Sequence, residues 1–279
     1  MKICKNIAEL NDWLENYSND KSLGFVPTMG ALHKGHISLL EQSIEDNDLS
    51  VVSIYVNPTQ FDKKEDLENY PKNDKADAEM LEKAGCDMLF LPDNLSIYPN
   101  GEQILEFDLD GLDSTMEGKY RPGHFQGVIT VVDRLLDLIQ PDMAYFGEKD
   151  YQQLAIVRFL AEERHPETEI VGGRIIREPD GLAMSSRNER LSEEQKEAAA
   201  IINEVLEKSY SKKGNMNVEA ITAWVRKNIN LNPHLNVEYV EIIDPYTIEI
   251  LDDIEEDTEA RICVSVWCGD IRLIDNMPL

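Results

Sequence analysis

The sequence predicts an α/β protein, built as a Rossmann-like parallel-sheet domain followed by a smaller α+β domain. Three observations predict it. Short apolar runs of strand length alternate with stretches of helical periodicity through the first two thirds of the chain. Strands separated by helices pair in parallel, because right-handed βαβ crossovers are the connection such a chain can make. Past residues 177–180 the order changes to two long helical stretches and then three strand-like runs. The expected domains are therefore 1–178 and 179–279, each large enough for its own core.

In chain order, residues 23–26 read as a buried strand and residues 33–46 as the helix after it. A second buried strand covers 51–56, and a charged, irregular stretch covers 62–72. A helix at 74–84 is stopped by Gly85, and a third strand at 88–91 is stopped by Pro92. Helices at 125–139 and 151–163 flank a strand at 142–146, and another strand closes the unit at 169–176. After a loop at 181–188, a long amphipathic helix is expected over 191–210. Ser192 and Gln195 give it a capping-box signal. Residues 211–215 make a turn, 218–230 a helix, and 237–243, 260–268 and 271–274 short strands. In parallel sheets ligands sit beyond the carboxyl ends of the strands, so the loops after Val26, Val56 and Phe146 share one rim.

Composition narrows the chemistry. No apolar run approaches the length of a membrane span, and the N-terminus has no secretory pattern. The four cysteines are scattered without a CxxC or Cys/His cluster, as expected of free thiols in a reducing cytoplasm rather than a zinc site. A net charge of −27, spread over both halves, repels nucleic acid and anionic membranes. It also repels polyphosphates, so a site for one has to gather local positive charge.

Four motifs fall where such a site belongs. PTMGALHKGH (27–36) follows a strand and opens a helix, with His33 and His36 on one helical face. A helix N-terminus offers free N–H groups and partial positive charge to phosphate, and Gly30 permits close backbone approach. Two of the chain's five histidines lie within these ten residues, which argues against chance. VNPTQF (56–61) adds Gln60, a neutral donor and acceptor. FGEKDYQQ (146–153) again joins strand to helix and supplies Lys149, Asp150 and Gln153; Asp150 suits a ribose hydroxyl or a helix cap. MSSR (184–187) places two hydroxyls and a guanidinium on one loop as a phosphate clamp. Ser185 has no acid–base partner at a triad spacing, which excludes a serine hydrolase. A fifth stretch, RPGHFQGV (121–128), leads to Val128, Val131 and Val132, which suit a small pocket or the core equally.

Taken together, PTMGALHKGH, VNPTQF, FGEKDYQQL and REPDGLAMSSRN, in this order across the whole chain, resemble the pantothenate synthetases (pantoate–β-alanine ligases). The histidine motif alone is shared with the wider nucleotidylyltransferase superfamily. The resemblance implies a reaction in which pantoate, β-alanine and ATP give pantothenate, AMP and pyrophosphate through a pantoyl-adenylate. It also implies Mg²⁺, a homodimer in the cytoplasm, and a C-terminal domain that acts as a lid. Matched motif positions imply that ATP is surrounded by Met29, Gly30, Ala31, Leu32, His33, Lys34, Gly35, His36, Gly147, Glu148, Lys149, Asp150, Ile176, Met184, Ser185, Ser186 and Arg187. His36 is the implied catalytic histidine, with His33, Lys149, Ser185, Ser186 and Arg187 stabilising phosphate charge. Gln60 and Gln153 would hold pantoate, with Gln60 also near β-alanine, and Asp77 is the implied Mg²⁺-associated carboxylate. Transfer to a phosphorylated acceptor would need more cations than this rim offers. A tRNA synthetase would need the basic surface that the net charge denies.

Overall fold

The structure is a computed structural model, and it describes residues 1–17, 20–61 and 64–279. The first unit runs β1 (Lys2–Cys4), α1 (Ile7–Tyr17), β2 (Leu23–Thr28), α2 (Lys34–Asp46), β3 (Leu49–Ile54), α3 (Lys64–Glu68), α4 (Asp74–Ala84), β4 (Met88–Phe90), α5 (Asn94–Ile97), α6 (Met116–Tyr120), α7 (His124–Ile139), β5 (Met143–Gly147), α8 (Tyr151–Arg164) and β6 (Glu169–Gly173). Its six strands pair in parallel in the order β1-β4-β3-β2-β5-β6. The second unit runs α9 (Glu193–Tyr210), α10 (Val218–Ile229), β7 (Leu235–Ile243), β8 (Arg261–Cys268) and β9 (Ile271–Pro278), the strands forming an antiparallel sheet in that order.

The strands of the first sheet are apolar on both faces, as helices on both sides require. Phe25, Val51, Met88 and Phe90 face one core, shared with helices α1, α7 and α8. Their neighbours Val26, Val52 and Leu89 face the other, closed by Leu40 and Leu81 of α2 and α4. A third core, between Leu182 and Leu279, belongs to the second sheet and its two helices. Ser192 and Gln195 form the expected capping box at the start of α9.

Sheet order reflects one reversal of the chain. From β2 the strands step to β3 and β4 on one side, whereas β5 and β6 are laid down on the other. The crevice between β2 and β5 is the switch point of the sheet, where loops leaving adjacent strands part in opposite directions. The loop after β2 carries the paired histidines, and the turn after β5 carries Lys149.

Several expected elements shift. Strand 271–274 extends to Pro278, because it pairs with all of β8. Strand 169–176 stops at Gly173, where its partner β5 ends. Four elements are additions to the expected order: β1, α5 and α6, each too short to show a period, and α1. The charged stretch 62–72 contains the short helix α3; its first two positions lie outside the described residues.

A buried joint connects the two units. Arg272 on β9 donates to Glu117 of α6 (2.5 and 2.8 Å) and to Glu238 of β7 (2.6 and 2.8 Å), and the Tyr239 hydroxyl donates to Glu117 at 2.9 Å. Burial pushes the Glu117 carboxyl up, but Arg272 outweighs it and holds its pKa below the ordinary value. Met116, Tyr239, Ile243, Ile248 and Cys263 pack around this ion pair as a small apolar core.

Candidate functional site

The loop after β2 is built from within. Gly30 takes a φ of +80°, and a Cβ there would meet the Ile54 side chain at 3.0 Å and an Asp77 carboxylate oxygen at 3.1 Å. The Gly30 N–H donates to Thr28 Oγ1 (3.2 Å), Ala31 N–H to Asp77 Oδ2 (2.9 Å) and Leu32 N–H to Asp77 Oδ1 (2.8 Å). Asp77 is buried at 3% exposure, and both its oxygens are engaged. Burial pushes its carboxyl up while the two amide bonds pull it back. In this arrangement the carboxylate expected beside Mg²⁺ has both oxygens on backbone amides. The described residues hold no group of three side chains able to ligate a metal, and Asp77 instead ties the first turn of α4 to the histidine loop.

At the mouth of α2 the two imidazoles form a reciprocal cap. Gly35 N–H donates to His33 Nδ1 at 3.1 Å, and His33 N–H donates to His36 Nδ1 at 3.3 Å. The imidazoles therefore take two of the amides at this helix start, those of His33 and Gly35, which narrows the free N–H reading of it. The same bonds fix the tautomer: with both Nδ1 atoms accepting, the proton of each neutral ring sits on Nε2. Burial, with the Lys149 charge, pulls the pKa of His33 down to about 4. Burial, His33 and Lys149 pull that of His36 down to about 3. Near neutral pH both rings are uncharged donors.

Gln60 is positioned by packing. Its turn (Pro58–Gln60) lies against Gly127 of α7, where a Cβ would meet Thr59 O at 2.3 Å. Asn57 Nδ2 donates to Gly127 O (3.0 Å) and to Gln60 Oε1 (3.1 Å), and Gln60 Nε2 donates to Met29 Sδ (3.1 Å), which leaves its second N–H. His124 Nδ1 lies 2.9 Å from Gln60 O, and Arg121 lies 3.0 Å from the other ring nitrogen. An arginine only donates, so His124 Nδ1–H is the donor to Gln60; burial holds its pKa down to about 4.

The turn after β5 sends its residues different ways. The Lys149 ammonium makes no ion pair with the described residues and lines the cavity, beside exposed Asp150. Gln153 faces the cavity; its neighbour Gln152 is buried and holds the 112–117 loop through Leu112 O, Thr115 O and Glu117 N. Ser185 caps the short helix Ser186–Arg190, and buried Ser186 donates to Ala31 O at 3.0 Å, joining the clamp loop to the histidine loop. Arg187 is engaged: it donates to Asp66 of α3 at 2.8 Å, as Arg190 does at 2.9 Å. Burial pushes the Asp66 carboxyl up, but the two guanidiniums outweigh it and hold its pKa below the ordinary value.

These loops enclose a cavity of about 220 Å³ and open into an adjoining cleft of about 600 Å³ that shares Lys149, Asp150, Ser185 and Arg187. Of the residues expected around a nucleotide, Met29, His33, Gly35, His36, Gly147, Lys149, Asp150, Ile176, Met184, Ser185, Ser186 and Arg187 line the cavity, as do Gln60 and Gln153. Gly30, Ala31, Leu32, Lys34 and Glu148 do not. The first three are spent on loop architecture, Lys34 points to solvent, and Glu148 faces Arg261 at 3.8 Å. Val128, Val131 and Val132 serve both purposes, packing in the core and lining the cavity. Sequence reasoning missed Tyr55, Tyr70 and Arg174 in the lining, and Asp66 on the clamp. Tyr70 lies under the Arg187 guanidinium, 5.8 Å from the ring centre.

A family model for pantoate-beta-alanine ligase matches residues 2–278. The pantothenate synthetase of Porphyromonas gingivalis is 44% identical over 278 residues, covering 99% of each chain. That of Christiangramia forsetii is 48% identical over 265 residues, covering 94% of this chain and 93% of the relative. Among solved structures, pantothenate synthetase from Thermus thermophilus superposes with a TM-score of 0.92 at 39% identity over 99% of each chain. Pantoate-beta-alanine ligase from Francisella tularensis, complexed with beta-gamma ATP and beta-alanine, superposes with a TM-score of 0.83 at 35% identity, covering 100% of this chain and 97% of that one. With the family model spanning nearly every residue and full-length relatives well above 40% identity, this chain belongs to the pantoate–β-alanine ligase family.

Proposed function

We propose that this chain condenses pantoate with β-alanine at the expense of ATP, through a pantoyl-adenylate, releasing AMP and pyrophosphate. The observation that carries the reading is convergence. In a chain of net charge −27, the switch-point cavity gathers two neutral imidazole donors, Lys149, Ser185 and Arg187, together with the carboxamides of Gln60 and Gln153.

A carboxylate and an amine do not condense at neutral pH, because oxide is a poor leaving group. Attack of the pantoate carboxylate on the α-phosphorus converts that oxygen into part of AMP, a good leaving group. Attack by the β-alanine amine on the acyl carbon then releases AMP. No protein nucleophile is needed. The residues hold the reactants in line and meet the charge that grows on the phosphate oxygens. His33 and His36 do so through Nε2–H, from a half-buried position where a hydrogen bond is stronger than in water. Gln60, with its Oε1 committed to Asn57 and one N–H to Met29 Sδ, offers its other N–H to pantoate without adding charge beside the reacting carboxylate. A triphosphate reaching Arg187 has to compete with Asp66.

The described residues provide no cage for Mg²⁺, so the ion is assigned to the phosphates of ATP, in keeping with its preference for substrate oxygens and water. The unit 179–279 is read as the cover that limits hydrolysis of the anhydride. A homodimeric assembly working in the cytoplasm completes the proposal.

The test is AMP formation from ATP with pantoate, with and without β-alanine, using pantoate labelled with oxygen-18 in its carboxylate. Stoichiometric AMP that depends on β-alanine for turnover and carries the label is expected. Label confined to pyrophosphate, or ADP as the product, contradicts the adenylate route.

A further inference from the structure

We propose that Asn276, on the last strand of the C-terminal sheet, is a positioning residue for Lys149. The proposal rests on the reading that Lys149 meets phosphate. Asn276 is 3% exposed. Its Nδ2 donates to the main-chain carbonyls of Glu148 and Lys149, each at 2.9 Å, and its Oδ1 accepts from the Arg261 guanidinium. The amide cannot be turned over, since the arginine only donates and the carbonyls only accept. All of its polar positions are directed by these partners, and they belong to two units of the fold.

Both carbonyls belong to the 3₁₀ turn of residues 148–150 that precedes α8. An apolar residue at 276 would take this side-chain donor from both carbonyls, at a cost typical of lost buried hydrogen bonds. The carboxamide instead pins the turn from outside. Arg261 is itself fixed, lying 4.0 Å above the Tyr151 ring and 3.8 Å from the Glu148 carboxylate. The preceding residue continues the arrangement. Asp275 takes both terminal nitrogens of Arg177 (2.7 and 3.0 Å), and Arg177 stands at the base of the loop that carries Met184 to Arg187. One dipeptide of the C-terminal sheet thus holds the roots of two phosphate-facing loops, the lysine turn of the other unit and the clamp loop that follows Arg177.

The experiment is a double-mutant cycle on the full chain, Lys149→Ala against Asn276→Ala, with kcat and KM read for ATP and for β-alanine and folding followed by thermal unfolding. Lys149→Ala is expected to lower kcat/KM for ATP on the order of 100-fold. Asn276→Ala is expected to lower it roughly 10- to 100-fold through misplacement, with the β-alanine KM unchanged within about twofold. In the double variant the Asn276 change should add less than about threefold, since a positioning residue has nothing left to position. Effects that multiply in the double variant overturn the proposal, as does parental ATP kinetics in Asn276→Ala when Lys149→Ala is impaired. Parental activity in Lys149→Ala overturns the reading of the site itself, and the proposal with it, by a distinct route. If the alanine variant does not fold, Asn276→Asp serves in its place. It preserves size and the Arg261 acceptor, removes both donors, and is held to the same outcomes.

Discussion

The two turns that face each other across the switch point are stabilised in opposite ways. The amides of the histidine loop after β2 are satisfied from inside its own unit: Thr28 and Asp77 take those of Gly30, Ala31 and Leu32, and the imidazoles of His33 and His36 take those of Gly35 and His33. The lysine turn after β5 is held from outside, by Asn276 of the other sheet. The first arrangement makes a donor platform whose amide bonds close within the first unit, with the Ser186 hydroxyl on the Ala31 carbonyl as its tie to the C-terminal unit. The second makes the position of a cationic side chain depend on how the two units are docked. A helix start that reads from sequence as free amides for phosphate is here a helix start whose amides orient side chains, and the side chains are left to meet the ligand.

The largest effect that could break this comparison is at His36. If the platform delivers Nε2–H to the phosphates, His36→Ala should lower kcat by roughly 100-fold or more, the scale of losing one key donor. Steady-state kinetics near the parental value would leave the platform without a purpose. Asp77→Ala sharpens the structural half. It strands two buried N–H groups, Ala31 and Leu32, and should destabilise the fold by about 2–4 kcal/mol in denaturant titration. Asp77→Asn should cost less, because one acceptor survives. If Asp77 were instead a metal carboxylate, both variants would show a raised Mg²⁺ requirement with unchanged stability.

The smallest effect is electrostatic. Lys149 lowers the pKa of both site histidines, so Lys149→Gln should raise their titration midpoints without changing the fold. The same values set the sign for stability. His33, His36 and His124 have folded pKa values of about 4, 3 and 4, below the ordinary value of 6.5. As pH falls below about 6.5 the unfolded chain takes up these protons before the folded one does, so stability present above that pH is progressively lost towards pH 4. Thermal unfolding from pH 7 to 4 should show the midpoint falling, and less steeply in His36→Gln.

Much of the site was legible because its chemistry sits at the ends of buried strands. Phe25, Val26, Val51 and Val52 show a strand by being apolar at every position, and the loop leaving the carboxyl end of such a strand in a parallel sheet lies on the ligand rim. Thus His33, His36, Lys149, Gln60 and Gln153 could be named from local pattern alone. Asp77, Asp66 and Asn276 could not be assigned their tasks that way. Each acts on a loop distant in sequence: Asp77 on residues 31 and 32, Asp66 on Arg187, Asn276 on residues 148 and 149. No period or spacing encodes those pairings, since tertiary docking creates them. Gln152 and Gln153 show the limit at short range. Adjacent positions on one helix are turned about 100° apart, so one is buried against a loop and the other faces the cavity; the sequence offers the pair, and packing chooses between them.

The central claim is that the paired histidines are neutral Nε2–H donors at working pH. Nitrogen-detected NMR of the protein labelled at histidine, titrated from pH 8 to 4 and then mixed with ATP at pH 7, addresses it directly. Both site rings should hold the Nε2–H form throughout the neutral range, with no midpoint above about 5, and should shift on addition of ATP. A ring that titrates near 6.5, or that carries its proton on Nδ1, would contradict the account.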